Sequence, residues 1–231
     1  MVITQAIFVA YGHDNELQAS KMNRMNNHLP DGFVYLKSIV PNIVQDMRYA
    51  TKDNFTGKIV AGYENNVAIL TKEAAHALKR VQEELEAQGL GLLVWDAYRP
   101  TRAVDSFMAW GKTPDDADIK VKYYPEFNKS EIFEQGFVAP GNSTHSRGST
   151  VDLTIINIKT GKPLEMGTDF DFFGEKSNTD YTDLPQDILN NRKLLKETME
   201  KYGFVNLPQE WWHYTLKDEP YNNKYFDFVI K

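Results

Sequence analysis

Residues 143–155 read Ser-Thr-His-Ser-Arg-Gly-Ser-Thr-Val-Asp-Leu-Thr-Ile, a short polar turn running into an alternating stretch. Gly148 lets the chain turn between His145 and Asp152. Beyond it, Val151, Leu153 and Ile155 point to one side and Asp152 and Thr154 to the other, as the two-residue period of a strand requires. The expectation is a strand with one buried face and a polar group offered from the other. Gln209–Tyr214, QEWWHY, extends the pattern, since Trp212, Tyr214 and Leu216 oppose His213 and Thr215. Glu210 and His213 stand at i and i+3, so they share a face only if the chain makes a helical turn there. We therefore expect a turn that leads into a strand starting near His213.

Around these stretches the pattern alternates between helix and strand. Thr71–Gln88 carries apolar residues at Ala74, Leu78, Val81 and Leu85, with Thr71 as N-cap and Gly89 just past the end, and predicts an amphipathic helix. Leu90–Trp95 is a continuous apolar run that predicts a strand buried on both faces and brings Asp96 and Arg99 to its end. Pro100 suits the first turn of a helix with Ala103, Phe107 and Trp110 inward. A further helix is expected from Leu184 to Tyr202, stopped by Gly203, and Phe33–Val40 reads as strand-like up to Pro41. Helices mixed with short strands, without regular βαβ units, predict an α+β domain. Residues 1–30, asparagine-rich after Tyr11 and without a clear period, read as an extension, leaving 31–231 as a single domain.

Composition narrows the functions open to such a domain. With 231 residues, 42% of them hydrophobic, the chain can bury one substantial core. A net charge of −6 and no basic stripe argue against phosphate-driven nucleic-acid binding, so a small polar ligand is the better expectation. The absence of cysteine excludes disulfides, thiolate metal sites and a cysteine nucleophile. Val2–Tyr11 is apolar but interrupted by Thr4 and Gln5 and lacks a basic flank, so it is a poor secretory signal, and it is too short to span a bilayer. The cytoplasm is the expected compartment, with a processed periplasmic form as the alternative.

Two of the five histidines fall in the opening stretches. A neutral imidazole and a carboxylate are both good zinc ligands, and His145, Asp152 and His213 make a three-ligand set that leaves a fourth tetrahedral position open, which is the catalytic type of site. Each also has a plain structural reading: His145 as a loop hydrogen-bonding residue, Asp152 as a turn or cap residue, His213 as a satisfied core histidine. Arg99 reads equally as a functional cation or as the ion-pair partner of Asp96. Asp171 reads as part of a solvated acidic loop or as a helix cap. Trp211 and Trp212 read as packing, and His13, His28 and His76 as solvated or helix-surface residues.

Six runs together carry a family resemblance: DNFTGK (53–58), WDAYRP (95–100), STHSRGSTVDLT (143–154), MGTDFDF (166–172), EWWHY (210–214) and EPY with YFDF (219–228). In this order, over roughly Asp31 to Lys231, the chain resembles the zinc D-alanyl-D-alanine dipeptidases. The resemblance implies a small, mainly antiparallel sheet flanked by helices, of the hedgehog and D,D-peptidase type. It implies one zinc per chain held by His145, Asp152 and His213, with Glu210 as catalytic acid and base. It further implies that Arg99 stabilises the transition state, that Ser143 and Asp171 contact the substrate, and that the partner is a small dipeptide rather than a macromolecule or a membrane. The chemistry agrees, because zinc makes bound water acidic near neutral pH and Glu210 would take that proton to the leaving amine. A D,D-carboxypeptidase or peptidoglycan endopeptidase would use the same metal site. A zinc-stabilised binding module without catalysis would need no Glu210. The oligomeric state and the physiological role are not specified by these runs.

Overall fold

The computed structural model describes residues 29–138 and 141–231. The extension expected over 1–30 lies outside the described residues except for its last two, and so do His13 and His28. Strands β1 (Phe33–Tyr35), β2 (Val44–Gln45), β3 (Ile69–Thr71), β4 (Leu90–Asp96), β5 (Thr150–Asn157), β6 (Phe204–Asn206) and β7 (His213–Leu216) alternate with helices α1 (Leu36–Ile39), α2 (Lys72–Glu86), α3 (Thr101–Gly111), α4 (Ala117–Tyr123), α5 (Lys129–Glu134) and α6 (Gln186–Lys201). The main sheet has the order β2-β4-β5-β7-β6, parallel only between β2 and β4, and β1 pairs with β3 in a separate antiparallel ribbon. The α+β class and the mainly antiparallel sheet are as expected.

Local chemistry explains most element ends. Thr71 Oγ1 accepts from Ala74 N and caps α2, whose Ala74, Leu78, Val81 and Leu85 are all buried. Pro100 occupies the N-cap of α3, which buries Ala103, Phe107 and Trp110. Two expectations need correction. Phe33–Val40 is not strand throughout: its ladder with β3 ends at Tyr35, and Leu36–Ile39 forms one helical turn closed by Val40 N donating to Leu36 O. In β5 the polar side is as buried as the apolar one, with Asp152 and Thr154 both under cover. The segment after β5 folds back over that side, bridging Pro163 to Ile156 and lining a crevice against Thr154 with Leu164 and Met166.

The register across the sheet places the polar groups. Asp152 stands opposite His213 on β7 and opposite Asp96 on β4, so three strands put Asp96, Asp152 and His213 in one row. The row depends on a bulge in β4 between Val94 and Asp96, because regular pairing from Val94 and Leu153 would set Trp95 against Asp152 instead. A bulge re-aims one side chain in this way. At the head of β5 the chain turns through Gly148 at φ +86, where an added Cβ would lie 2.2 Å from the Phe33 ring. Gly148→Ala is therefore expected to lower stability by about 2 kcal/mol or more, combining left-handed backbone strain with overpacking. Denaturant unfolding followed by tryptophan fluorescence measures it, and an unchanged midpoint would contradict the tight approach.

Candidate active site

The row of polar groups opens into a cavity of about 210 Å³. His145 comes from a 3-10 turn, Thr144–Arg147, capped by Ser143 Oγ accepting from His145 N at 3.3 Å. Asp152 comes from the middle of β5, and His213 begins β7. The turn expected before His213 is present, with His213 N donating to Glu210 O at 3.2 Å. Asn206 Nδ2 fastens it by donating to both Glu210 O and His213 O at 3.0 Å. Glu210 Oε2 thereby lies 3.3 Å from His213 Nδ1, on the same side of the chain.

His145, Asp152 and His213 form a group able to hold a metal ion, with all three ligand atoms within 4.8 Å of one another. The separations are tighter than that. His145 Nε2 lies 3.2 Å from Asp152 Oδ2, His213 Nδ1 lies 3.0 Å from Asp152 Oδ1, and the two ring nitrogens are 3.3 Å apart. A tetrahedral ion with bonds of about 2.0–2.1 Å separates its ligands by roughly 3.3 Å, a spacing the two ring nitrogens match, while each imidazole has a different oxygen of Asp152 beside it. The tautomers suit it as well. His145 Nδ1–H donates to Ala97 O at 2.7 Å, which leaves Nε2 free to bind a metal, and His213 Nε2 faces Thr144 Oγ1 at 3.4 Å. Asp152 Oδ1 is buried without a hydrogen-bond donor in good geometry, although His213 Nδ1 is close, which is the state of a ligand atom rather than of a structural carboxylate.

Charge around the cavity is unbalanced toward acid. Asp152, Asp171 and Glu210 line it and Asp96 lies behind it, against Arg99 as the single permanent cation among the described residues that line it. Burial pulls the His213 imidazole down, but Asp152 and Glu210 outweigh it and its pKa rises to about 9. Burial opposes ionisation of Asp152, yet the two imidazoles hold its carboxyl below the usual range. For Asp171 burial and the Asp152 charge act together and push the carboxyl well above the usual range. Asp171 is no solvated loop acid: it is 5% exposed, sits at φ +60 and accepts a hydrogen bond from Tyr49 Oη at 2.8 Å. Phe170, stacked on Trp95 with ring centroids 5.1 Å apart, anchors the strained turn that presents it.

Arg99 is the ion-pair partner of Asp96 and also lines the cavity. Its Nε donates to Asp96 Oδ2 at 2.9 Å, and its guanidinium lines the cavity 3.5 Å from Asp152 Oδ2. Asp96 also accepts from Tyr63 Oη at 2.7 Å, while the Tyr49 and Phe107 rings lie 5.1 and 5.2 Å from the guanidinium carbon. Ser143 lines the cavity beside Thr144. Trp211 and Trp212 are buried packing residues, and His76 is on the exposed side of α2. Sequence reasoning passed over Tyr49, Asn206 and the hydrogen bond from Tyr63 to Asp96, though it did give Asp96 as an ion-pair partner for Arg99.

Asp171 supplies a stability test. A carboxyl raised on folding weakens the native state increasingly as pH climbs above its unfolded value. Metal-free Asp171→Asn should therefore melt above the metal-free parent at pH 8, and the gap should shrink toward pH 5. A gap that is constant or grows at low pH would show that Asp171 is stably ionised in the empty site.

Comparison with known proteins places this geometry in context. The D-ala-D-ala dipeptidase family model, Peptidase_M15, matches residues 30–231. A D-alanyl-D-alanine dipeptidase of Enterococcus faecium is 46% identical over 200 residues, covering 87% of this chain and 98% of that protein. The Streptomyces coelicolor protein of the same description is 46% identical over 198 residues, covering 86% and 98% respectively. That of Escherichia coli is 33% identical over 186 residues, covering 79% and 83%. With the motif runs, the fold and nearly all the described chain inside that match, the protein belongs to the D-Ala-D-Ala dipeptidase family of metallopeptidases.

Proposed function

We propose that the chain hydrolyses the dipeptide D-Ala-D-Ala to two D-alanines, with one zinc per chain held by His145, Asp152 and His213. The observation that carries this reading is the pair of imidazole nitrogens 3.3 Å apart, each beside an oxygen of Asp152 at 3.2 and 3.0 Å, with the Glu210 carboxylate 3.3 Å from His213 Nδ1. Zinc, when bound, supplies positive charge that polarises a carbonyl and acidifies water near neutral pH. Glu210 accepts the proton of the attacking water and delivers it to the amine nitrogen as the amide bond breaks, so one water and one amide become a carboxylate and an amine. Arg99, pinned by Asp96, offers permanent N–H donors to the carbonyl oxygen as charge gathers on it. Ser143 contacts the substrate beside the metal turn. Asp171 takes the free ammonium of the substrate, whose charge offsets a carboxylate that is otherwise expensive to ionise.

The cavity supports a small substrate. At about 210 Å³ it falls below the roughly 300–1,000 Å³ usual for small-molecule sites, and Phe55, Val104, Phe107 and Phe173 supply apolar wall for short side chains. Among the described residues no helix is long and apolar enough to cross a membrane. The substrate would be a free dipeptide, arising in removal or recycling of cell-wall precursors, with the cytoplasm as the compartment and the periplasm as the alternative.

Two outcomes follow. Purified protein should turn over D-Ala-D-Ala, lose that activity to a chelator and regain it with zinc, and Glu210→Gln should keep the metal while kcat falls by about 10² to 10⁴. Near-normal turnover by the metal-loaded Gln variant would remove Glu210 from the proton path. N-acetyl-D-Ala-D-Ala lacks the ammonium, and stranding a buried charge costs about 3 to 5 kcal/mol, so its kcat/KM should be lower by a hundredfold or more. Equal rates for the two peptides would favour a carboxypeptidase acting on longer chains.

A further inference from the structure

The C-terminal segment 219–227 joins no strand of the sheet and contributes nothing to the wall of the cavity, yet it grips the turn that carries His145. Arg147, two residues beyond His145, meets Glu219 through both arms of its guanidinium, Nε to Oε2 at 2.9 Å and Nη2 to Oε1 at 2.6 Å. Phe226 N donates to Ser146 O at 2.9 Å. The other limb of the segment holds α3: Thr101 N donates to Phe226 O, and Asp227 pairs with Arg102 through two bonds of 2.9 and 3.0 Å.

We infer that Glu219 is a positioning residue for the metal site, acting through Arg147 to hold the Thr144–Arg147 turn where His145 completes the ligand triangle. The inference rests on the zinc reading above. A single 3-10 turn has poor hydrogen-bond geometry and little stability of its own. From the core side it is held by His145 Nδ1 on Ala97 O and by Arg99 N on His145 O. From the outer side its only side-chain ion pair among the described residues is Arg147–Glu219. That pair is well shielded, with side chains 14% and 7% exposed, and its forked geometry fixes direction as well as distance. A ligand triangle tolerates errors of only about 0.2 Å, so slack in the turn is read directly as metal affinity. The Arg102–Asp227 pair is an internal control. It has similar bond lengths and belongs to the same segment, but it is half exposed and ends on α3 rather than on the turn.

The test is zinc affinity of the full chain, measured by competition with a chromogenic chelator, together with the melting temperature of each metal-free protein. Glu219→Gln and Arg147→Lys, each keeping side-chain bulk while losing the charged fork, should weaken zinc by about tenfold or more, as loss of a residue that orients a metal ligand generally does. Asp227→Asn should lower the melting temperature without moving zinc affinity, which separates positioning from general loosening of the segment. Wild-type zinc affinity in folded Glu219→Gln and Arg147→Lys would overturn the inference, as would an equal loss in Asp227→Asn. If Glu219→Gln does not fold, Arg147→Lys decides. Failure of the wild type itself to bind zinc would fell the zinc reading and this inference together, whereas strong wild-type binding unaffected by the two variants would fell this inference alone.

Discussion

The carboxylate of Asp152 is the constraint around which the structure is arranged. It lies on the middle strand of the sheet, 2% exposed, with His145 Nε2, His213 Nδ1 and an Arg99 nitrogen within 3.5 Å. A buried anion of this kind is tolerated only when cations and donors surround it closely. Each neighbour arrives by a different route: His145 from a turn, His213 from the adjacent strand, Arg99 from the end of β4. The bulge in β4 serves the same end. It moves bulky Trp95 out of register and brings Asp96 beside Asp152, where Asp96 can hold Arg99.

The surplus of acid favours cationic ligands at the site. Two imidazoles and one guanidinium face Asp96, Asp152, Asp171 and Glu210, and burial first, then the Asp152 charge, makes the Asp171 carboxyl resist ionisation. A divalent ion between the histidines and an ammonium near Asp171 would relieve this strain at two separate points. The same imbalance makes the empty site costly to stability, a common trade at catalytic centres. Aromatic packing backs the site, where Tyr49, Phe55 and Phe107 pack edge-on or tilted against one another, and where Trp95 stacks on Phe170 beside the Asp171 turn.

Elements with strong local signals were legible in the chain itself. The α2 helix carried its cap and its apolar face, α3 its leading proline, and β5 and β7 their alternation; the E-x-x-H spacing called for a turn, and one is there. Where local signals were weak or overridden, the reading slipped. Phe33–Val40 has the composition of a strand, but pairing partners exist for only its first three residues, so the remainder closes on itself as a helical turn. Asp171 stands in an acidic run and reads as solvated, yet Phe170 and the Trp95 face draw that run inward.

The sequence by itself determined the ligand types, the order of the elements and, through six ordered motif runs, the family, because these reside in residue identity and short-range spacing. Tertiary structure alone decided which polar groups share a row, how deeply Asp152 and Asp171 are buried, that Tyr49 supports Asp171, and that a segment beginning at Glu219 reaches back to the His145 turn. Those facts depend on strand register, on one bulge and on contacts between residues far apart in the chain, and the pattern of neighbouring residues does not encode any of these.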